Sequence, residues 1–111
     1  MEIATRPAPG GVILDVSGDI DLANSPALRK QLLGEIKERR TAKVFLNLSN
    51  VRYIDSSGIA TLVEGLKATR DLGTKLTLYG LNPAVREVLE LSRLQKIFVI
   101  YINEEQALSA A

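Results

Sequence analysis

The hydrophobic and polar positions of the chain follow two different periods in turn. Three segments alternate apolar and polar residues, which is typical of strands with one buried face: residues 12–17, 43–48 and 75–79. A segment before the turn cluster at residues 7–11 and the apolar run at residues 97–101 predict two further strands. Because the strands alternate, we expect helices on one face of the sheet and partial exposure of the other.

Four helices are predicted between and after these strands, the first three from a helical period and the last from its capping residues. Ser25-Pro26 predicts the N-cap and first turn of one helix, whose apolar stripe is Leu28, Leu32 and Ile36. A second helix follows residue 58 and should end near Gly73. Asn82-Pro83 predicts the start of a third helix, and Asn103 that of a short terminal one.

This order of elements predicts the fold class. Strands and helices that alternate with short connections are typical of α/β domains with right-handed crossovers. We expect one domain over residues 1–111, built on a mixed, mostly parallel sheet of about five strands in which the two N-terminal strands are neighbours.

Composition excludes several classes of protein. The 111 residues include no Cys and no His, which removes disulfides, thiol nucleophiles, Ser-His-Asp hydrolases and most zinc enzymes. The 14 basic and 13 acidic residues give no global field that would attract nucleic acid. No run approaches the roughly 18 apolar residues of a membrane span, and the N-terminus does not resemble a signal peptide. Carboxylate chemistry, lysine chemistry or a hard-cation site could remain, but the composition favours a cytoplasmic binding module, and no cofactor is predicted.

The turn Asp55-Ser56-Ser57-Gly58 lies where a predicted strand ends and a helix begins. A helix N-terminus offers unpaired N–H groups and a partial positive charge, and the glycine lets another backbone come close. The same residues also fit a simple N-cap followed by a turn glycine, and such caps are common. The residues alone leave both interpretations open.

Two carboxylates, Asp19 and Asp21, suggest a different chemistry. Together with Asp55 they could hold Mg²⁺ or act as acid and base. No third fixed ligand, His or nucleophile-base pair accompanies them, so we favour a place in the loop before Ser25, on the same edge as Ser56. No metal site is predicted, and the glycines match neither phosphate-binding pattern.

Three motifs resemble those of a known family. Residues 46–59 resemble the signature of the STAS domain, as found in bacterial anti-sigma factor antagonists. Residues 16–21 resemble that family's Gly-acid-apolar-Asp motif, and residues 78–85 resemble its penultimate strand and helix start. The resemblance extends from about Gly11 to about Leu108, in the order and spacing of the family.

This resemblance implies a partner-switching regulator that is the substrate of a kinase and not itself an enzyme. The unphosphorylated form would bind a serine-kinase anti-sigma factor and free the sigma factor. The kinase would phosphorylate the serine directly after the motif's Asp, which is Ser56 here, and a PP2C-type phosphatase would restore it. We expect a monomer or weak dimer whose partner-binding residues are Asp19, Asp21, Asn24, Asp55, Ser57, Gly58 and Ile59.

The family also offers an alternative function. STAS domains occur as subunits of lipid-transport ABC complexes, where the same loop would serve assembly without phosphorylation. The intact Asp-Ser-Ser-Gly sequence favours the switch.

Overall fold

The computed structural model describes residues 1–110, and within them the predicted order of strands and helices is confirmed. The strands are β1 (Glu2–Ala8), β2 (Gly11–Ile20), β3 (Lys43–Ile54), β4 (Lys75–Tyr79) and β5 (Val99–Tyr101). The helices are α1 (Ser25–Leu33), α2 (Ser56–Leu72), α3 (Pro83–Leu91) and α4 (Glu104–Ala110), and a π-helical segment, Gly34–Glu38, continues α1. None of these helices has the length and apolar character needed to cross a bilayer.

The five strands lie side by side in chain order. β1 is antiparallel to β2, and all later pairs are parallel, so the sheet is mixed and mostly parallel as predicted. A sheet that adds each strand on the same side keeps its crossover helices on one face. It also lacks the point of reversal at which small ligands bind in doubly wound sheets. The topology therefore provides a surface rather than a ligand crevice at the carboxyl ends of the strands.

The main core lies between the sheet and helices α1, α2 and α3. Leu28 and Leu32 of α1 and Leu62 of α2 are fully buried against strand residues such as Leu46. Each such side chain stabilises the fold by about 1.5–3 kcal/mol relative to full exposure. The helical stripe read from the sequence is thus the face that packs on the sheet.

Helix α4 lies on the opposite face. Its Ala107 packs on Ile13, Phe45 and Tyr79, which alternate with the residues of the main core along β2, β3 and β4. The expectation of helices on one face holds for α1, α2 and α3 but not for α4. Large apolar side chains on the second face need cover, and α4 supplies it.

Several element boundaries are as predicted. Gly73 ends α2 in the left-handed region, with φ of 70°. Asn82 caps α3 by accepting a hydrogen bond from the Val85 N–H at 2.8 Å. Asn103 accepts one from the Gln106 N–H at 2.9 Å.

Other boundaries differ. β3 continues past residue 48 to Ile54, because its second half pairs with the end of β2. The last strand is only Val99–Tyr101, and Ile97 lies in a turn before it. The N-cap of α1 is Asn24 and not Ser25, which is the first residue of that helix and is buried.

Candidate partner-binding site

Asp55 is the N-cap of α2, directly after β3. Its Oδ1 accepts hydrogen bonds from the backbone N–H of Ser57 at 2.9 Å and of Gly58 at 3.2 Å. The Ser57 hydroxyl donates to the same oxygen at 2.5 Å. The structure therefore shows a complete Asp cap at this turn, as the simpler interpretation of the motif requires.

The same carboxylate fixes the loop between β2 and α1. The Leu22 N–H donates to Asp55 Oδ2 at 3.1 Å, and the Asp55 N–H donates to the Ile20 carbonyl at 3.1 Å. The Ser57 hydroxyl, followed by the backbone N–H groups of Gly58, Ser57 and Leu22, holds the pKa of Asp55 below its usual range. Asp55 is thus an ionised group that joins two loops.

The two serines of the turn differ in what their hydroxyls do. Ser57 is half-buried and its hydroxyl is bound to Asp55. Ser56 is exposed as the first residue of α2, and its hydroxyl makes no hydrogen bond to other residues of the range 1–110. Ser56 is therefore the hydroxyl at this turn that an outside molecule can reach.

The sequence predicted unpaired N–H groups at this helix start, and that expectation is wrong for two of them. The N–H groups of Ser57 and Gly58 already donate to Asp55. An anion on Ser56 would therefore find these donors occupied and a carboxylate beside them. The dipole of α2 still favours an anion on Ser56, but repulsion from the negative charge of Asp55 opposes this effect.

Gly58 and Ile59 lie below the surface, and their contact with a partner stays a prediction. A Cβ at Gly58 would lie 2.6 Å from Ile54 Cγ1 and 2.9 Å from the Ile20 carbonyl oxygen. The backbone that comes close to this glycine is thus that of Ile20 in the same chain. Ile59 is only 8% exposed. Both residues position the turn from beneath it.

The loop before α1 is held by its own polar side chains. Asp21 is half-buried and accepts a hydrogen bond from the Asn24 N–H at 3.0 Å. The Asn24 amide donates to the Asp19 carbonyl at 3.1 Å. Asp19 lies in β2 rather than in the loop, where it pairs with Tyr53 of β3, and its carboxylate is 3.5 Å from the Arg52 guanidinium.

These positions change the interpretation of the acidic residues. Asp19, Asp21 and Asp55 do lie at the carboxyl ends of neighbouring strands, as predicted. Within residues 1–110 no three acidic side chains come together in a way that could hold a metal ion. Asp21 and Asn24 shape the loop, and their contact with a partner stays a prediction.

Two exposed apolar side chains at this edge were missed in the sequence. Leu22 is 77% exposed beside Asp55, and Tyr53 is 51% exposed beside Asp19. Contiguous exposed apolar patches mark interaction surfaces, and Tyr is a frequent anchor in them, so both side chains are candidates for contact with a partner. The sequence did contain a signal for Leu22, since it is the one large apolar residue in the loop at residues 21–24. Leu22, Tyr53 and Ser56 lie at the same edge of the sheet, and we refer to these three residues together as the switch surface.

Comparison with known proteins identifies the family. The sequence profile of the STAS domain matches residues 2–107, and the chain therefore belongs to the STAS domain family. The chain is 33% identical over 100 residues to the anti-sigma F factor antagonist of Paenibacillus polymyxa, covering 90% of this chain and 86% of that protein.

Solved structures agree with this assignment. A putative anti-sigma factor antagonist from Thermotoga maritima superposes with a TM-score of 0.91 at 28% identity, covering 97% of this chain and 92% of that one. The Bacillus cell fate determinant SpoIIAA in its phosphorylated form superposes with a TM-score of 0.76 at 17% identity, covering 98% of each chain. The second likeness shows the fold alone.

Proposed function

We propose that this protein is an anti-sigma factor antagonist, which binds an anti-sigma factor through the switch surface and so frees a sigma factor. Membership of the STAS family and likeness to the Paenibacillus protein support this function. The observation that carries the proposal is the exposed, unbonded hydroxyl of Ser56 beside the exposed side chain of Leu22.

Ser56, and not Ser57, is the residue that the partner phosphorylates. The anti-sigma factor is a serine kinase in this scheme, and a PP2C-type phosphatase removes the phosphate. A kinase needs a hydroxyl that can enter its active site, and Ser56 is exposed and unbonded. The Ser57 hydroxyl would first have to leave Asp55.

The phosphate acts on the interface through charge. A phosphoserine carries about −1.5 to −2 charges at pH 7. Placed beside the ionised Asp55, this charge makes the switch surface strongly acidic and keeps water bound to it. A partner that covers Leu22 and Tyr53 must remove that water, so phosphorylation weakens its binding.

Site mapping tests the assignment of Ser56. The protein and its Ser56→Ala and Ser57→Ala variants are incubated with the kinase captured from the source cells and with ATP. Mass spectrometry should find one phosphate, on Ser56, in the wild type and in Ser57→Ala, and none in Ser56→Ala. A phosphate on Ser57 in the wild type would contradict the assignment.

Affinity capture tests the function as a whole. The tagged protein should retain an ATPase-like serine kinase from cell extract, and Ser56→Asp should retain much less of it. Capture of an ABC ATPase together with a permease, equally by both forms, would instead support the lipid-transport alternative.

A further inference from the structure

A half-open cleft of about 330 Å³ lies between the C-terminal part of α2 and the first residues of β4 and β5. The switch surface lies at the carboxyl ends of the strands, whereas this cleft lies at the amino ends. Its floor is apolar and is formed by Leu66, Leu76, Ile97 and Val99. Ile97 and Val99 are 37% and 49% exposed, so the apolar surface continues out of the cleft. Its volume is at the low end for ligand pockets, which suits one bulky side chain.

The rim of this cleft is basic. Arg70 and Lys75 line it together with no acidic residue, and neither forms a salt bridge within residues 1–110. Arg93 and Lys96 are exposed in the turn that leads to Ile97. Arg70 offsets the dipole at the end of α2, but Lys75 opens a strand and has no such role. The charge of the rim therefore complements an acidic ligand.

Thr74 provides a second and independent observation. Its hydroxyl oxygen is buried and has no hydrogen-bond partner within residues 1–110, and the residue lines the cleft. Buried polar atoms in proteins are nearly always bonded, so an unbonded one needs an explanation. A hydroxyl can donate to a carboxylate, the group that Arg70 and Lys75 also attract.

We propose that this cleft binds an acidic segment of a partner protein, with one bulky apolar side chain on its floor and carboxylates bound by Arg70, Lys75 and Thr74. A protein segment fits better than a small molecule because the cleft is half open and continues onto the exposed side chains of Ile97 and Val99. The site is at the other end of the strands from Ser56. It does not depend on the function proposed above, and both surfaces can be occupied together.

The test uses a short capped peptide of alternating Glu and Leu, titrated into the full chain by calorimetry. The same peptide with Lys in place of Glu is the control for charge. The Glu peptide should bind, more weakly as salt is added, and should shift the amide NMR signals of residues 69–77 and 97–101. The Lys peptide should not bind.

Three variants connect the binding to the named side chains. Thr74→Val removes an unbonded hydroxyl, so its melting temperature should be unchanged or higher while the peptide affinity falls about tenfold. The double variant Arg70→Glu/Lys75→Glu should lose about tenfold or more, whereas Lys30→Glu on exposed α1 surface should change affinity less than twofold.

The proposal is overturned if the Glu peptide does not bind, or if both peptides bind equally. Unchanged affinity in the variants, or amide shifts centred elsewhere, would also overturn it. Binding of free octanoate at these residues without binding of the peptide would assign the cleft to a small amphiphile instead.

Discussion

Gly58 shows how closely the turn at Asp55 is packed. The site of its missing side chain is filled by Ile54 and Ile20, which lie at the ends of β3 and β2. Packing within the chain therefore requires a glycine at this position. Gly34 is the opposite case, because it has helical angles and a Cβ there would meet nothing within 4 Å.

These two glycines give a matched pair of substitutions. Gly58→Ala should lower the free energy of unfolding by about 1–3 kcal/mol, because the added methyl group overpacks the turn. Gly34→Ala should raise it by about 0.5–1 kcal/mol, because it removes backbone freedom from the unfolded chain at no steric cost. Urea unfolding of both variants measures the difference. Equal effects of the two changes would mean that the turn relaxes freely around Gly58.

Leu22 and Leu91 are both 77% exposed, which makes Leu91 a control for Leu22. Leu22→Ala should weaken binding of the anti-sigma factor about tenfold or more, because Leu22 is next to Asp55 on the switch surface. Leu91→Ala, at the end of α3, should leave the affinity unchanged. Each variant should change stability by less than about 0.5 kcal/mol, since exposed side chains contribute little to folding. Calorimetric titration measures the affinities, and an equal loss in both variants would contradict the proposed surface.

At the scale of elements, the features that depend on local sequence patterns could be predicted, whereas those that depend on contacts between distant segments could not. Periods in the sequence predicted β2, β3, β4, α1, α2 and α3, because each period reflects which face of one element is buried. The turn cluster, the apolar run and the Asn103 cap predicted β1, β5 and α4. The second half of β3 was not predicted, because its pairing with β2 passes through register shifts next to Ser17 and Gly18. A bulge depends on the partner strand and leaves little local signal. The Asp55 cap was one of the two interpretations of the motif, whereas the exposure of Leu22 depends on the conformation of the whole loop.

The position of α4 also depends on residues far apart in the chain. Arg6 of β1 binds Asp15 of β2 at 2.5 Å and Glu104 of α4 at 2.6 Å. The Tyr79 hydroxyl donates to Glu104 at 2.7 Å. Arg6, followed by Tyr79, holds the pKa of Glu104 below its usual range, and Arg6 lowers that of Asp15. These polar contacts attach the first turn of α4 to the sheet.

This attachment should be sensitive to acid. A carboxylate whose pKa is lowered by folding stabilises the native state above its ordinary pKa, near 4.5 for Glu104. That stabilisation is lost as the pH falls through the lower native value. The NMR signal of the Ala107 methyl group, which packs on the sheet, should therefore shift as the pH is lowered below about 4.5.

Glu104→Gln removes the carboxylate of the ion pair, so the Ala107 methyl signal should shift less as the pH is lowered. The contact of α4 with the sheet should already be weaker in this variant at neutral pH. Glu105→Gln is the control, because the neighbouring Glu105 is exposed and forms no salt bridge within residues 1–110. If both variants titrate like the wild type, the contact of Arg6 with Glu104 does not hold the helix.

At the scale of the whole molecule, the acidic residues near Ser56 and the basic residues of the cleft lie at opposite ends of the sheet, although Arg52 offsets the charge of Asp19. Asp19, Asp21 and Asp55 lie at the carboxyl ends of the strands, near Ser56. Arg70 and Lys75 lie at the amino end. The formal net charge of +1 hides this separation, which is why composition alone predicted no charged surface. Phosphorylation of Ser56 would add to the acidic end and leave the other end unchanged.

The fold itself should not respond to phosphorylation. The phosphate on Ser56 would project from an exposed first residue of α2, and the Asp55 cap would still hold the N–H groups behind it. Repulsion from Asp55 opposes the helix dipole locally, so the net effect on stability should be small. Binding of the anti-sigma factor, in contrast, must bring a partner surface against the new charge. A cost of several kcal/mol there corresponds to a loss of a hundredfold or more, at about 1.4 kcal/mol for each factor of ten.

Ser56→Ala and Ser56→Asp separate these two effects. Ser56→Ala should bind the anti-sigma factor like the wild type and resist inactivation by ATP. Ser56→Asp should bind poorly but melt near the wild-type temperature, because the change lies on an exposed residue outside the core. Melting temperature and affinity are measured side by side for both variants and for the phosphoprotein. Amide NMR shifts on phosphorylation should be confined to the switch surface and the first turn of α2. Shifts that spread through the sheet to α4 would mean that phosphorylation changes the conformation of the domain. A charge that acts only at the interface would not alter the environment of α4, which packs on the other face of the sheet.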